Sequence, residues 1–208
     1  MIRQHLPALG KKMRGLALAG AVLVAGACSD ATGPHLSRVR VELTDAPSDI
    51  FAQADVWISQ VYLQGGGNST DGGGGRVVLF ENADEPLHFD LLTLRDGVTA
   101  DLTGYVDVDG ATYQSLRLVV DSARITLIEG VSFEDGTDNA TLFVPSGSRS
   151  GIKVKLNEAI EAAEGESVSI VVDFDVDDNF VIQGDHGPGG VRGILFTPSL
   201  KERGRHKS

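Results

Sequence analysis

Polar and apolar residues alternate with a period of two along most of the chain after residue 36. Val39, Val41 and Leu43 alternate with Arg38, Arg40 and Glu42, which predicts a strand with one buried and one wet face. Residues 54–64 form a longer, more apolar run and predict a second strand. Further strand-like runs cover 76–81, 87–92, 113–120, 124–128, 141–144, 151–156, 168–176, 180–183 and 191–198. Turn chemistries separate them: Asp45-Ala-Pro-Ser48, Asp96-Gly97, Asp109-Gly110, Asp135-Gly136, Pro145-Ser-Gly147 and Gly187-Pro-Gly-Gly190. Many short strands between Gly, Asp and Pro clusters predict an all-β fold, a single β-sandwich (immunoglobulin-like or transthyretin-like) of roughly nine to eleven strands with little helix. Helical spacing is confined to 157–163, with Asn157 as cap and Gly165 as stop, and the neighbouring strands could equally extend through it. The stretch from Gly65 to Gly75 reads as a glycine-rich hairpin loop; it lacks the Gly-Lys-Ser/Thr ending and strand-to-helix setting of a phosphate loop.

The N-terminus follows a different pattern. Arg3, Lys11, Lys12 and Arg14 precede an apolar run over 16–27, the layout of a secretory signal. A helix of that length rises about 18 Å against the ~30 Å of a bilayer core, too short for a permanent span. The run ends in Val24-Ala-Gly-Ala-Cys28, which resembles the bacterial lipobox with Ala25 where leucine is usual. Cys28 is the single cysteine of the chain, so it forms no internal disulfide. Lipidation of Cys28 accounts for it; the alternative is an ordinary secretory signal with an incidental thiol. Residues 1–27 are therefore expected to be a signal peptide, 28–36 the lipidated cysteine and linker, 37–200 the β-sandwich domain and 201–208 a basic disordered tail. Ser29, rather than Asp, follows the cysteine, which by resemblance to Gram-negative sorting points to the outer membrane.

Charge narrows the partners. The net charge is −11, and removing 1–27, with four bases and no acid, lowers it by four to −15. Nucleic acid demands a basic face, so it is excluded as a partner, and an acidic body is ill suited to lie flat on anionic lipid. The expected partners are the membrane, through the lipid on Cys28, and another envelope protein or a glycan; the domain is expected to be a monomer.

Candidate chemistry is sparse. In Val172-Asp-Phe-Asp-Val-Asp-Asp-Asn179, strand alternation predicts Asp173, Asp175 and Asp177 on one face, with Asp178 following. Such carboxylates repel one another, and calcium would relieve that. These four residues are the candidate metal ligands, with Asp107 and Asp109 as further donors; the competing reading is a solvated strand face running into an Asp/Asn turn. The helix-loop-helix calcium pattern fails, because Asp178 stands where glycine is needed and Gly184 where a bidentate Glu belongs. Asp45 before Ala46-Pro47 is read as closing a local turn. His35, His88, His186 and His206 lack zinc-site spacing. Gly147-Ser-Arg-Ser-Gly151 has Arg149 where a nucleophile elbow needs serine. Trp57, Tyr62, Tyr105 and Tyr113 are assigned to the core; the alternative is an exposed aromatic platform, which would suggest sugar binding. No catalytic set and no cofactor motif is read, and calcium is the one ion nominated. Three functions follow: a non-enzymatic binding or structural module, a calcium-dependent adhesion or glycan-binding module, and a hydrolase with paired carboxylates.

Several short segments resemble one family. Val41-Glu-Leu-Thr-Asp-Ala-Pro47, Phe89-Asp-Leu-Leu92, Tyr113-Gln-Ser-Leu-Arg-Leu118, Val144-Pro-Ser-Gly147 with Gly151-Ile-Lys-Val154, and Val172-Asp-Phe-Asp175 resemble, in order, the bacterial and archaeal domain of unknown function 4382. The resemblance runs from about Val39 to Gln183, with the Gly65–Gly75 stretch as an insertion. It implies a lipoprotein or cell-surface protein with a β-sandwich-like domain and brings no established activity.

Overall fold

The computed structural model describes residues 36–65, 75–145, 150–184 and 190–208. The expected signal, Cys28 and most of the linker lie outside the described residues. Fourteen strands run through the described part: β1 (Leu36–Thr44), β2 (Phe51–Gly65), β3 (Arg76–Glu81), β4 (Leu87–Asp90), β5 (Ala100–Asp101), β6 (Val106–Asp109), β7 (Ala111–Leu127), β8 (Asn139–Leu142), β9 (Ile152–Lys153), β10 (Ile160–Ala162), β11 (Ser167–Asp173), β12 (Phe180–Gly184), β13 (Val191–Phe196) and β14 (Lys201–Lys207). A 3-10 turn spans Leu91–Leu94 and a single helical turn Val176–Asn179. The count exceeds nine to eleven because β5, β9 and β10 are two or three residues long, too short to show a period.

The strands form an all-β sandwich. One sheet has the order β14-β11-β1-β5, with β6 also on β1; the second runs β10-β7-β2-β3, with β4 on β2 and β8 and β9 on β7; β12 and β13 form a small third sheet. β1 and β11 are parallel, Leu43 facing Val172, and both send alternate apolar residues inward: Val39, Val41 and Leu43 from one, Val168, Ile170 and Val172 from the other. These pack in one continuous core with Val56 and Ile58 of β2 and Leu116, Leu118 and Ile125 of β7. Phe174, Phe180 and Phe196 extend that core beneath the small sheet, with the Phe180 and Phe196 rings 4.9 Å apart.

Three expectations are corrected. The runs 113–120 and 124–128 are one strand, β7; the exposed Asp121 between them is accommodated because its Oδ1 accepts from Ser59 Oγ at 2.8 Å, where the β2–β7 register shifts. The helix option at 157–163 gives way to strand β10, paired with Ala111–Tyr113, and the Asn157 N–H donates to Glu202 Oε2 at 2.9 Å. The expected disordered tail at 201–208 is β14, antiparallel to β11, so the folded domain continues past residue 200. β2 and β3 pair antiparallel on either side of the glycine-rich stretch, and the Gly65 N–H donates to the Gly75 carbonyl at 3.2 Å. Residues 66–74 themselves lie outside the described part. Among the described residues no helix is long and apolar enough to cross a membrane.

Candidate functional site

The ends of the parallel strands β1 and β11 bring together several polar groups. Thr44 stands opposite Asp173, and the Phe174 N–H donates to the Thr44 carbonyl at 3.0 Å. The Thr44 hydroxyl donates to the Leu94 carbonyl at 3.0 Å, and the Asp45 N–H reaches the same carbonyl at 3.2 Å. Asp45, expected to close a local turn, makes a long-range tie: its Oδ1 accepts from the Val176 N–H at 2.9 Å. The residue is 4% exposed, and its Oδ2 is buried without a hydrogen-bond partner. Burial pushes the Asp45 carboxyl up to about 6, against the downward pull of the Val176 and Ala46 N–H groups, and nearby Asp173 and Asp175 add to the rise.

The acidic segment does not present one carboxylate face. β11 stops at Asp173, and Asp175 takes a left-handed conformation, φ 41°, that breaks the alternation. Asp175 Oδ1 then accepts from the Asp178 N–H at 3.1 Å and opens the helical turn. Asn179, fully buried, closes it. Its Nδ2 donates to the Phe174 and Asp175 carbonyls, and its Oδ1 accepts from the Ser199 N–H. The acids are largely spoken for: Asp173 Oδ2 pairs with Arg203 at 3.1 Å and Asp178 Oδ2 with Lys201 at 2.7 Å. The Lys201 ammonium holds the Asp178 carboxyl below the usual carboxylate range. Asp177 is exposed, while Asp173 Oδ1 is buried without a partner. Asp107 and Asp109 do not join them. They face Arg38 and Leu36 at the opposite end of β1 from Thr44 and Asp173, about 20 Å away at the rise of a strand. Among the described residues, no three His, Cys, Asp or Glu side chains are placed to hold one metal ion.

This junction unites Leu43-Thr-Asp-Ala-Pro47 with Val172-Asp-Phe-Asp175, two of the segments on which the family resemblance rests. The model of a family described as a domain of unknown function, DUF4382, matches residues 36–192. The chain belongs to the DUF4382 family. No curated protein and no solved structure matches it. In this DUF4382 domain β14 lies beyond the matched residues yet completes the first sheet and supplies the cations, Lys201 and Arg203, that pair with the acidic segment.

The aromatic residues divide. Tyr62 and Tyr113 are buried as expected, but Tyr105 is 49% exposed and Trp57 faces outward from β2. Trp57 is partly covered: His88 of β4 stacks on it at 4.7 Å between ring centroids, and the Arg124 guanidinium of β7 lies over the ring at 5.7 Å. His88 is held by buried Asp55, Nε2 to Oδ1 2.7 Å. The ring is therefore neither core nor a bare platform for a sugar. Replacing Trp57 with Ala is expected to cost about 1–2 kcal/mol, the stacking and cation–π contributions plus partial burial. Denaturant unfolding tests this, and a loss of about 3–5 kcal/mol would assign it to the core after all.

Two shallow clefts of the DUF4382 domain carry paired acids. One, of about 540 Å³, includes Glu161 and Glu164; another, of about 450 Å³, includes Glu134 and Asp135. Glu161 lies 4.0 Å from Lys207, Glu134 lies 3.6 Å from Arg192, and Asp135 accepts from the Thr137 N–H and hydroxyl. Neither cleft is lined by Asp45, the acid whose pKa is raised to about 6.

Proposed function

We propose that this DUF4382 protein is a non-enzymatic binding or structural module of a bacterial cell envelope, tethered by lipid on Cys28 to the outer membrane. The observation that carries the reading is the lone cysteine directly after the 16–27 apolar run and its basic flank. Several acyl chains on one residue exceed the marginal hold of a single chain, each buried methylene contributing about 0.8 kcal/mol. Residues 29–35, between that cysteine and the start of β1, can span at most about 25 Å. The tether thus keeps the domain beside the membrane, where its partner would be another envelope protein or a glycan. Mass spectrometry of the mature protein tests this directly. An N-terminal peptide beginning at an acylated Cys28 is expected; a peptide beginning elsewhere, or a free thiol on Cys28, would overturn the tether.

A second reading, calcium-dependent adhesion through the acidic segment, draws on the two buried carboxylate oxygens without partners, Asp45 Oδ2 and Asp173 Oδ1. Binding to the folded state alone would stabilise it by about 2.7 kcal/mol at a hundredfold excess over the dissociation constant. A thermal melt of the mature protein with calcium and with a chelator decides. A rise of several degrees, lost in Asp173→Asn, would favour adhesion, and coincident melts would retire the ion.

A further inference from the structure

The outer face of the second sheet carries a row of cations, in a chain whose net charge is −11. Tyr62 of β2 stands opposite Arg117 of β7, and Arg117 stands opposite Lys153 of β9. Their neighbours along the chain, Val61, Leu63, Leu116, Leu118, Ile152 and Val154, are buried, so these three side chains point away from the core. Arg76 of β3 lies at one end of the row, its guanidinium 4.0 Å from the centre of the Tyr62 ring. At the other end exposed Lys155 follows exposed Lys153, with buried Val154 between them. Neighbouring strands lie about 4.8 Å apart, so the row from β3 to β9 spans about 14 Å. Like charges directly opposite each other destabilise a sheet, and Arg117 faces Lys153 in that way. Among the described residues none of these four cations has a carboxylate partner. Two acids close to the row serve other groups: Glu81 accepts from the Gln60 amide, and Glu158 pairs with Arg205. Arg117 is already oriented, because its Nη1 donates to the Ser150 and Gly151 carbonyls at 2.9 and 3.1 Å.

We propose that this face binds an acidic polysaccharide, a chain of carboxylate-bearing sugars lying across β3, β2, β7 and β9. Unpaired cations on an otherwise acidic protein are complementary to a polyanion, and a row spread over four strands suits an extended one. The row ends in a shallow cleft of about 420 Å³, where Lys153 and Lys155 are joined by Gln114 and Glu158. The Gln114 amide and the Glu158 carboxylate can hydrogen-bond sugar hydroxyls. A phospholipid surface gains nothing from them, and its phosphates are repelled by Glu158. The proposal rests on reading the domain as a binding module and names the class of its glycan; it does not depend on the tether.

Equilibrium binding of fluorescently labelled hexagalacturonate to the protein in mild non-ionic detergent tests the proposal, since the state of Cys28 does not affect the reading. Binding that weakens as salt rises is expected, with no binding of neutral maltohexaose. Lys153→Gln with Lys155→Gln should raise the Kd about tenfold. Both side chains are exposed, so the double variant should fold, and a urea unfolding curve coincident with that of the wild type checks it. Arg192→Gln with Lys207→Gln removes the same charge from β13 and β14, where each cation already faces an acid, and should leave the Kd unchanged. No binding of hexagalacturonate, equal binding of maltohexaose, or equal weakening by the two double variants would overturn the proposal. Displacement of the hexamer by glycerophosphoglycerol at equal charge would assign the row to lipid headgroups and overturn it as well. None of these failures would touch an acylated Cys28, which the mass of the N-terminal peptide decides separately.

Discussion

Replacing Arg205 with Ala is expected to destabilise the domain by about 3–5 kcal/mol, and removing residues 201–208 should prevent it from folding. The reason lies in a buried ion pair on the last strand. The Glu202 side chain is 2% exposed and that of Arg205 8%. Arg205 Nε and Nη2 donate to the two Glu202 oxygens at 2.8 and 2.9 Å, the bidentate geometry that makes such pairs strong. Arg205 also donates to the backbone carbonyls of Ala159 and Glu158, at 2.8 and 3.0 Å, while Glu202 accepts from the Asn157 N–H. One guanidinium therefore fastens β14 to the connection that leads into β10. Without it Glu202 is left as a buried anion, the costly half of a broken pair. The double variant Arg205→Ala with Glu202→Gln should recover part of the loss, since it removes the orphaned charge. Chemical denaturation reads both. A single-variant loss within about 1 kcal/mol would mean that Glu202 escapes to solvent, as an exposed pair would allow.

That ion pair also explains why the tail was illegible. Strand patterns are read from apolar residues at alternate positions, and Lys201-Glu-Arg-Gly-Arg-His-Lys207 has none. Its buried positions are Glu202 and Arg205, acceptable inside because they pair with each other and with the backbone of 157–159. The same blindness affected the acidic segment. Asp173 and Asp178 look like an unneutralised row until β14 delivers Arg203 and Lys201 to them. Where alternation is clean the reading succeeded: β1 and β11 bury the residues their patterns nominate. In β2 the run is apolar on both sides of Trp57, and register shifts between Trp57 and Gln60 carry the buried phase from Val56 and Ile58 to Val61 and Leu63. Period two cannot place a ring beside such bulges. Asp45 stood out as a motif residue, but its partner Val176 lies 131 positions away, beyond any local spacing rule.

Cys28→Ala is expected to abolish detergent partitioning completely and to leave an unprocessed precursor that still carries residues 1–27. A lipoprotein signal is cleaved next to its cysteine only after that cysteine carries lipid, so alanine at 28 removes the acceptor and the cleavage site together. The alternative, an ordinary secretory signal, predicts the opposite: the small residues Ala25, Gly26 and Ala27 would still direct cleavage, and the variant would mature normally and stay in the aqueous phase. Immunoblotting of whole cells for the size of the chain, with detergent phase separation beside it, distinguishes the two. The domain gives an internal control. Its described part begins at Leu36, eight positions after Cys28, so the substitution should leave unfolding by urea unchanged once the mature regions are compared. A variant that matures yet loses the detergent phase would keep export and remove the tether. One that matures and remains in the detergent phase would show that the protein reaches the membrane through its folded surface. For a body this acidic, that would require a cationic or apolar face in place of simple attraction to anionic lipid.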